Sequence, residues 1–121
     1  MDRYESGLKN FKNICGESAI NSLEELKTIS PELASMVIEF AYGDLHTLTY
    51  LTPREMEIIS ITSLITQGEI NSALELHYKA ALNIGITSKE IKDIIVHSVA
   101  YIGFPKAIKA MMLLKEVLVK I

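Results

Sequence analysis

Hydrophobic residues along this chain recur at intervals of three and four positions, which places them on one face of an α-helix. The strict alternation that marks a half-buried β-strand is not found. No linker, internal repeat or low-complexity segment interrupts the pattern. We therefore predict an all-α fold, with a single compact helical domain over residues 1–121.

Capping signals divide this pattern into about six to seven helices. The clearest start is at Thr52, because Pro53 suits a first helical position and Glu55 completes a capping box. Thr87 and Glu90 form a second capping box. The predicted helices run from Arg3 to about Ile14, Glu17 to about Lys27, Pro31 to near Gly43, Pro53 to Gly68, about Glu69 to Ile84, Thr87 to Gly103, and Pro105 to about Val119. The two helices on either side of Gly68 are expected to form a central antiparallel hairpin.

The helices that follow Thr52 are apolar on more than one face. The mean hydropathy of the chain is positive, at +0.24. A chain of this size buries only about two thirds of the surface that it exposes when unfolded. We therefore expect part of the apolar surface to meet another copy of the chain, and we predict a homo-oligomer.

The composition argues against several classes of protein. A net charge of −3 with scattered basic residues is unsuited to nucleic acid. The one cysteine, Cys15, lacks the neighbouring ligands of a zinc site and indicates a reducing compartment. Apolar stretches such as Ile58–Ile65 are shorter than the roughly 20 residues that span a bilayer, and the first residues lack the pattern of a signal or transit peptide. We expect a cytoplasmic protein with no metal and no membrane or nucleic-acid partner.

His77 is the first candidate for chemistry, because it falls in register with the apolar stripe of its helix. That stripe consists of Ile70, Ala73, Leu74, Ala80, Ala81 and Ile84. An inward-facing imidazole can act as a general acid or base near neutral pH. It can equally be a core histidine whose nitrogens bond to a carbonyl or carboxylate, and the pattern leaves both interpretations open.

Glu57 lies on an apolar face of the preceding helix, where an ionised carboxylate is costly unless it is paired. Arg54, three residues earlier, is close enough for an ion pair on the helix surface. In an antiparallel hairpin around Gly68, the turn that holds Glu57 faces the helix of His77. The alternative to a plain surface pair is therefore a carboxylate, a guanidinium and an imidazole around one cavity.

Other polar residues are weaker candidates for substrate binding. His97 follows Asp93 by four residues, which is typical of a surface pair, and Tyr101 lies one further turn along the same face. A second group, formed by Glu39, Tyr42 and His46, closes the third predicted helix, where a solvated helix end is the favoured interpretation over a site. The histidines lack the spacing of a metal site, and glycine-rich nucleotide loops and the GxSxG elbow are missing.

Three segments in combination resemble the carboxymuconolactone decarboxylase family, which is related to alkyl hydroperoxidase D. They read LTPREME at 51–57, ELHYKAALNIGIT at 75–87, followed by Glu90 and Ile91, and YIGFPKA at 101–107. A fourth segment, Glu39 to Asp44, is similar to the acidic, aromatic and glycine-containing stretch ahead of the core in decarboxylase-type members. The resemblance implies helical subunits assembled into rings, commonly a hexamer built as a trimer of dimers, with pockets at subunit contacts.

The resemblance implies two rival activities. Relatives of the hydroperoxidase or peroxiredoxin type carry a CxxC motif ahead of the histidine that matches His77, together with a glutamate that Glu57 resembles. This chain has Ile70 and Ala73 at the two cysteine positions, and Cys15 is isolated in sequence. Thiol peroxidase activity is therefore not expected.

The decarboxylase type implies a cofactor-free lyase that acts on a small carboxylated lactone or related oxo acid. In that interpretation His77 is the proton donor or oxyanion partner, Arg54 holds a carboxylate, and Glu57 orients one of them. The glutamate at position 57 is itself unusual among decarboxylase-type members. A binding protein that keeps the scaffold without the reaction is the remaining alternative.

Overall fold

The computed structural model describes residues 1–121, and the chain is helical apart from short connections. Helices α1 to α8 span, in order, Arg3–Cys15, Ile20–Ile29, Pro31–Met36, Leu45–Thr47, Pro53–Gln67, Ser72–Asn83, Ser88–Ile102 and Phe104–Lys120. A 3₁₀ turn, Glu17–Ala19, leads into α2, and a π-helix, Val37–Asp44, joins α3 to α4. The prediction of an all-α fold is confirmed.

The helix ends follow from local side-chain chemistry. Three predicted N-caps accept a backbone N–H with their side chains, and these are Asp2, Ser30 and Thr87. The predicted start of the helix at Glu69 is wrong, because α6 begins at Ser72. Asn71 caps α6 by accepting the N–H of Ala73, so that the helix begins at Ser72.

The π-helix is a feature that the capping pattern does not predict. The run from Pro31 to Thr47 is continuous, but its turns widen from Val37 to Asp44. Helix α1 packs along this π-helix, and the approach is so close that a Cβ at Gly7 would overlap the carbonyl group of Ile38. This segment is therefore shaped by tertiary packing as well as by its own sequence.

Contacts divide the chain into two compact units, Met1–Pro53 and Arg54–Ile121. The core of the first unit is formed by Phe11, Ile14, Cys15, Ala19, Leu23, Ala34, Ile38 and Tyr42. The core of the second unit is formed by Ile61, Ile65, Leu74, Tyr78, Ala81, Ile86, Ile91, Ile95, Ala107, Ala110, Leu114 and Val117.

Helices α5 and α6 of the second unit follow one another across the short connection 68–71, as the predicted hairpin requires. Gly68 ends α5 with φ +79°, and its N–H bonds to the carbonyl of Ile65 at 3.0 Å. The N–H of Glu69 bonds to the carbonyl of Leu64 at 2.9 Å, which completes a Schellman motif. Helix α8 packs against both α6 and α7. No helix of the chain combines the length and the apolar character that a membrane span needs.

Candidate functional site

Glu57 and His77 form a hydrogen-bonded pair in the second unit. Glu57 lies in α5 and is 2% exposed, while His77 lies in the middle of α6 with 21% of its side chain exposed. The Nδ1 atom of His77 is 2.8 Å from Oε2 of Glu57. The structure thus brings together the carboxylate and the imidazole that the sequence placed on facing helices.

The chemistry of the two groups assigns the proton between them. An ionised carboxylate only accepts hydrogen bonds, so when Glu57 is ionised it is Nδ1 of His77 that carries the hydrogen and donates it. In the neutral ring, Nε2 then has the lone pair. Since part of the imidazole is exposed while Glu57 is buried, a ligand can approach the ring but not the carboxylate. The pair can accept a proton at Nε2 or deliver one from it.

Tyr78, the residue after His77, connects α6 to α8. Its ring is fully buried, and its hydroxyl donates to the carbonyl oxygen of Ala110 in α8 at 2.9 Å. Burial raises the pKa of Tyr78 above its usual value, so the hydroxyl stays protonated and remains a donor. His77 is therefore adjacent to an anchored position on α6.

One interpretation of the sequence paired Arg54 with Glu57, and the structure does not contain that pair. Its guanidinium binds the carboxylate of Glu90 through Nη1, at 3.4 Å, and through Nη2. Glu57 is turned instead toward His77. The structure therefore keeps Glu57 and His77 together and pairs Arg54 with a fourth residue, Glu90.

Glu90 is the residue that sequence reasoning missed as part of this arrangement. It closes the capping box of α7, where Thr87 donates to it from its backbone N–H at 3.0 Å. The pKa of Glu90 is lowered to about 2, mainly by the Arg54 guanidinium and then by the hydrogen bonds from Thr87. The capping box and the family resemblance both included Glu90, but neither indicates a second partner 36 positions away.

The two candidates on α7, His97 and Tyr101, contact each other and make no hydrogen bond to Glu57 or His77. His97 and Tyr101 are exposed, with ring centroids 6.1 Å apart. Asp93 binds Lys89 at 2.7 Å, so the predicted surface pair of Asp93 with His97 is replaced by a lysine pair. These two aromatic side chains form part of the surface of α7.

The candidates of the first unit form a cluster of their own. Tyr42 is buried, stacks on His46 at 5.3 Å, and accepts a hydrogen bond from the thiol of Cys15 at 3.4 Å. Glu39 lies 3.7 Å from Arg3. The packing of this cluster places Tyr42 in the core, whereas the sequence suggested a solvated helix end.

No group of three or more histidine, cysteine, aspartate or glutamate side chains in residues 1–121 has the arrangement of a metal site. The fold and the site thus define a small all-helical protein in which a buried glutamate is bonded to a partly exposed histidine.

A model of the carboxymuconolactone decarboxylase family matches residues 31–116, and the chain belongs to that family. It is 30% identical over 116 residues to a 4-carboxymuconolactone decarboxylase of Acinetobacter baylyi, an alignment that covers 95% of this chain and 86% of the relative. It is 25% identical over 114 residues to a nitrosuccinic acid decarboxylase of Metarhizium robertsii, covering 93% of this chain and 79% of the relative. A peroxisomal protein 2 of Schizosaccharomyces pombe is 27% identical over 92 residues, covering 75% of this chain and 43% of that protein.

Proposed function

We propose that this protein is a cofactor-free carboxy-lyase that releases carbon dioxide from a small carboxylated lactone or a related activated acid. The hydrogen bond of 2.8 Å between His77 and Glu57 is the observation that carries the proposal. Membership of the family supports it, as do two relatives whose names denote decarboxylation. The chain spans most of the length of both relatives.

The reaction needs an electron sink in the substrate and a proton from the protein. The bond from carbon to the carboxylate breaks, carbon dioxide departs, and the electron pair moves toward the lactone carbonyl, which becomes an enolate. A nitro group offers a comparable sink. The enolate must then receive a proton on carbon, and a positioned general acid accelerates such a transfer by roughly 10²–10⁴-fold.

His77 is the proton carrier in this proposal. Protonated at both nitrogens, the ring donates from Nε2 to the substrate carbon while Nδ1 keeps its bond to Glu57. The Glu57 carboxylate stabilises the positive ring before transfer and fixes its orientation throughout. A proton from the solvent then returns to Nε2, so each turnover replaces the carboxylate of the substrate with one hydrogen and consumes one solvent proton. Glu57 is a positioning residue, since its burial keeps it from touching substrate.

A thiol peroxidase is the alternative raised by the wider family. Its cycle between a dithiol and a disulfide needs two cysteines, and this chain has one. Cys15 lies in the first unit, where its thiol bonds to Tyr42. No observation favours that function, and the proposal remains a lyase.

The test is carbon dioxide release from 4-carboxymuconolactone and from nitrosuccinate. The wild-type chain should turn over at least one, and His77→Asn should lower kcat by about a hundredfold or more. His97→Asn is the matched control, because it removes an exposed imidazole with no bond to Glu57. Circular dichroism checks that each variant stays helical.

Two results would contradict the proposal. Undiminished turnover in His77→Asn would remove the histidine from the reaction. Tight binding of these acids by the wild-type chain without any release of carbon dioxide would indicate a binding protein instead.

A further inference from the structure

Arg54 ties the start of α5 to the start of α7. It is the second residue of α5 and lies one turn before Glu57 on that helix. Two guanidinium nitrogens, Nη1 and Nη2, face the two carboxylate oxygens of Glu90. Such a two-point contact restrains direction as well as distance, which a single contact does not. The first turn of α5 therefore has a directional link to α7.

Glu90 is itself held in place before it meets the guanidinium. Its Oε1 accepts the backbone N–H of Thr87 at 3.0 Å and the Thr87 hydroxyl at 3.2 Å. The N–H of Glu90 bonds in turn to the Thr87 hydroxyl oxygen at 3.1 Å. Because its pKa is lowered to about 2, Glu90 stays charged at every pH at which the enzyme would work. The link thus ends on a carboxylate that its own helix cap holds in place and that stays charged at neutral pH.

We propose that Arg54 and Glu90 are positioning residues that set the Glu57 carboxylate against Nδ1 of His77. This inference rests on the proposed function in one respect, namely that the Glu57–His77 pair moves the proton. A displacement of a reacting group by about 1 Å can lower the rate a hundredfold. A link one turn from Glu57 can therefore change the rate by shifting the position of the Glu57 carboxylate. Arg54 accordingly acts through Glu57 and not by holding the substrate, since both of its terminal nitrogens face Glu90.

The first experiment needs no substrate. Nitrogen-15 NMR of the imidazole in the full chain reports the tautomer of His77 and its Nδ1–H bond. Arg54→Gln and Glu90→Gln should each shift the His77 signals toward a mixture of tautomers. Glutamine at position 90 preserves the capping box, so the helix start survives while the charge is lost. Lys89→Gln is the matched control, because it removes the neighbouring surface pair with Asp93 and should leave His77 unchanged.

The second experiment measures carbon dioxide release by the same variants. We expect Arg54→Gln and Glu90→Gln to lower kcat by roughly tenfold to a hundredfold with little change in KM, and to move the pH profile of kcat. The double variant should be no worse than the more damaging single variant, because both break one link. Arg54→Lys should recover part of the rate.

The outcomes separate this inference from the proposed function. Unchanged His77 signals in folded Arg54→Gln and Glu90→Gln would overturn the positioning role, whatever the activity. Additive losses, or a rise in KM alone, would also overturn it and would return Arg54 to substrate binding. If wild-type protein releases no carbon dioxide while the His77 signals still shift in both variants, the lyase fails and the link stands.

Discussion

At the scale of single residues, the second unit buries the side chain of Glu57 almost completely. Removing a carboxylate from water is unfavourable unless hydrogen bonds compensate it, and the imidazole of His77 provides one at 2.8 Å. Loss of either partner leaves the other with an unmet polar group. The two residues therefore have to be read as one functional group.

Tyr78→Phe tests the anchor beside His77. The substitution removes the hydroxyl that donates to Ala110 inside the core, so we expect a loss of about 1–2 kcal/mol in the free energy of unfolding. Urea unfolding followed by circular dichroism measures it. Tyr101→Phe, which removes an exposed hydroxyl, should change stability by less than about 0.5 kcal/mol. Equal effects of the two substitutions would show that the buried bond contributes nothing.

The lowered pKa of Glu90 predicts how the stability of the protein depends on acid pH. Its pKa is lowered from the ordinary 4.5 to about 2, so its link to Arg54 stabilises the fold fully above about pH 5 and is lost as the pH falls toward about 2. Asp44, bonded to Arg3 at 2.8 Å, has its pKa lowered in the same direction. Urea midpoints of wild type and Glu90→Gln should differ at neutral pH and converge near pH 2. A gap that stays constant down to that pH would contradict the assignment.

At the scale of elements, the contact of α1 with the π-helix sets the shape of the first unit. Gly7→Ala should destabilise the chain by about 1–3 kcal/mol, because the added methyl group meets the backbone of Ile38, which cannot rotate away. Thermal unfolding measures the loss. Lys9→Ala, on an exposed position of the same helix, is the control and should be neutral or slightly stabilising. A stable Gly7→Ala variant would show that the two helices can separate without cost.

Most of the helical layout could be predicted, because helix ends depend on nearby residues. The Asp2, Ser30 and Thr87 caps each act within three positions, so the sequence alone reveals them. The π-helix could not be predicted, since its neighbour Gly7 lies about thirty residues from Ile38 and no local pattern records that approach. The later start of α6 depended on Asn71, a cap that was overlooked beside the acidic Glu69.

The sequence indicated only those residues of the candidate site that lie on the apolar faces of helices. The apolar stripe around His77 favoured an inward-facing ring, and an antiparallel hairpin made a contact with Glu57 one of the open alternatives, which the structure contains. The partner of Arg54 did not follow. The sequence offered Glu57, three positions away, as the partner of Arg54. Only the three-dimensional arrangement of α5 and α7 brings Glu90 to the guanidinium.

At the scale of the whole molecule, the family match crosses both units. Residues 31–116 take in part of the first unit and nearly all of the second, including α5, α6 and α7. The pair in α5 and α6 is built entirely from the second unit. The first unit instead contributes a separate aromatic cluster around Tyr42.

The outer face of α8 carries Phe104, Ile108 and Met112, four residues apart and 67%, 59% and 54% exposed. We expect copies of the chain to cover this stripe, and the hexamer implied by the family resemblance remains a prediction. If association buries the stripe, folding and assembly become one equilibrium, and dilution alone should lower the unfolding temperature. Light scattering and melting curves across a concentration series measure both, and a monomer with a concentration-independent melting point would refute the expectation. The abundance of the protein in its cell would then set how much of it is folded.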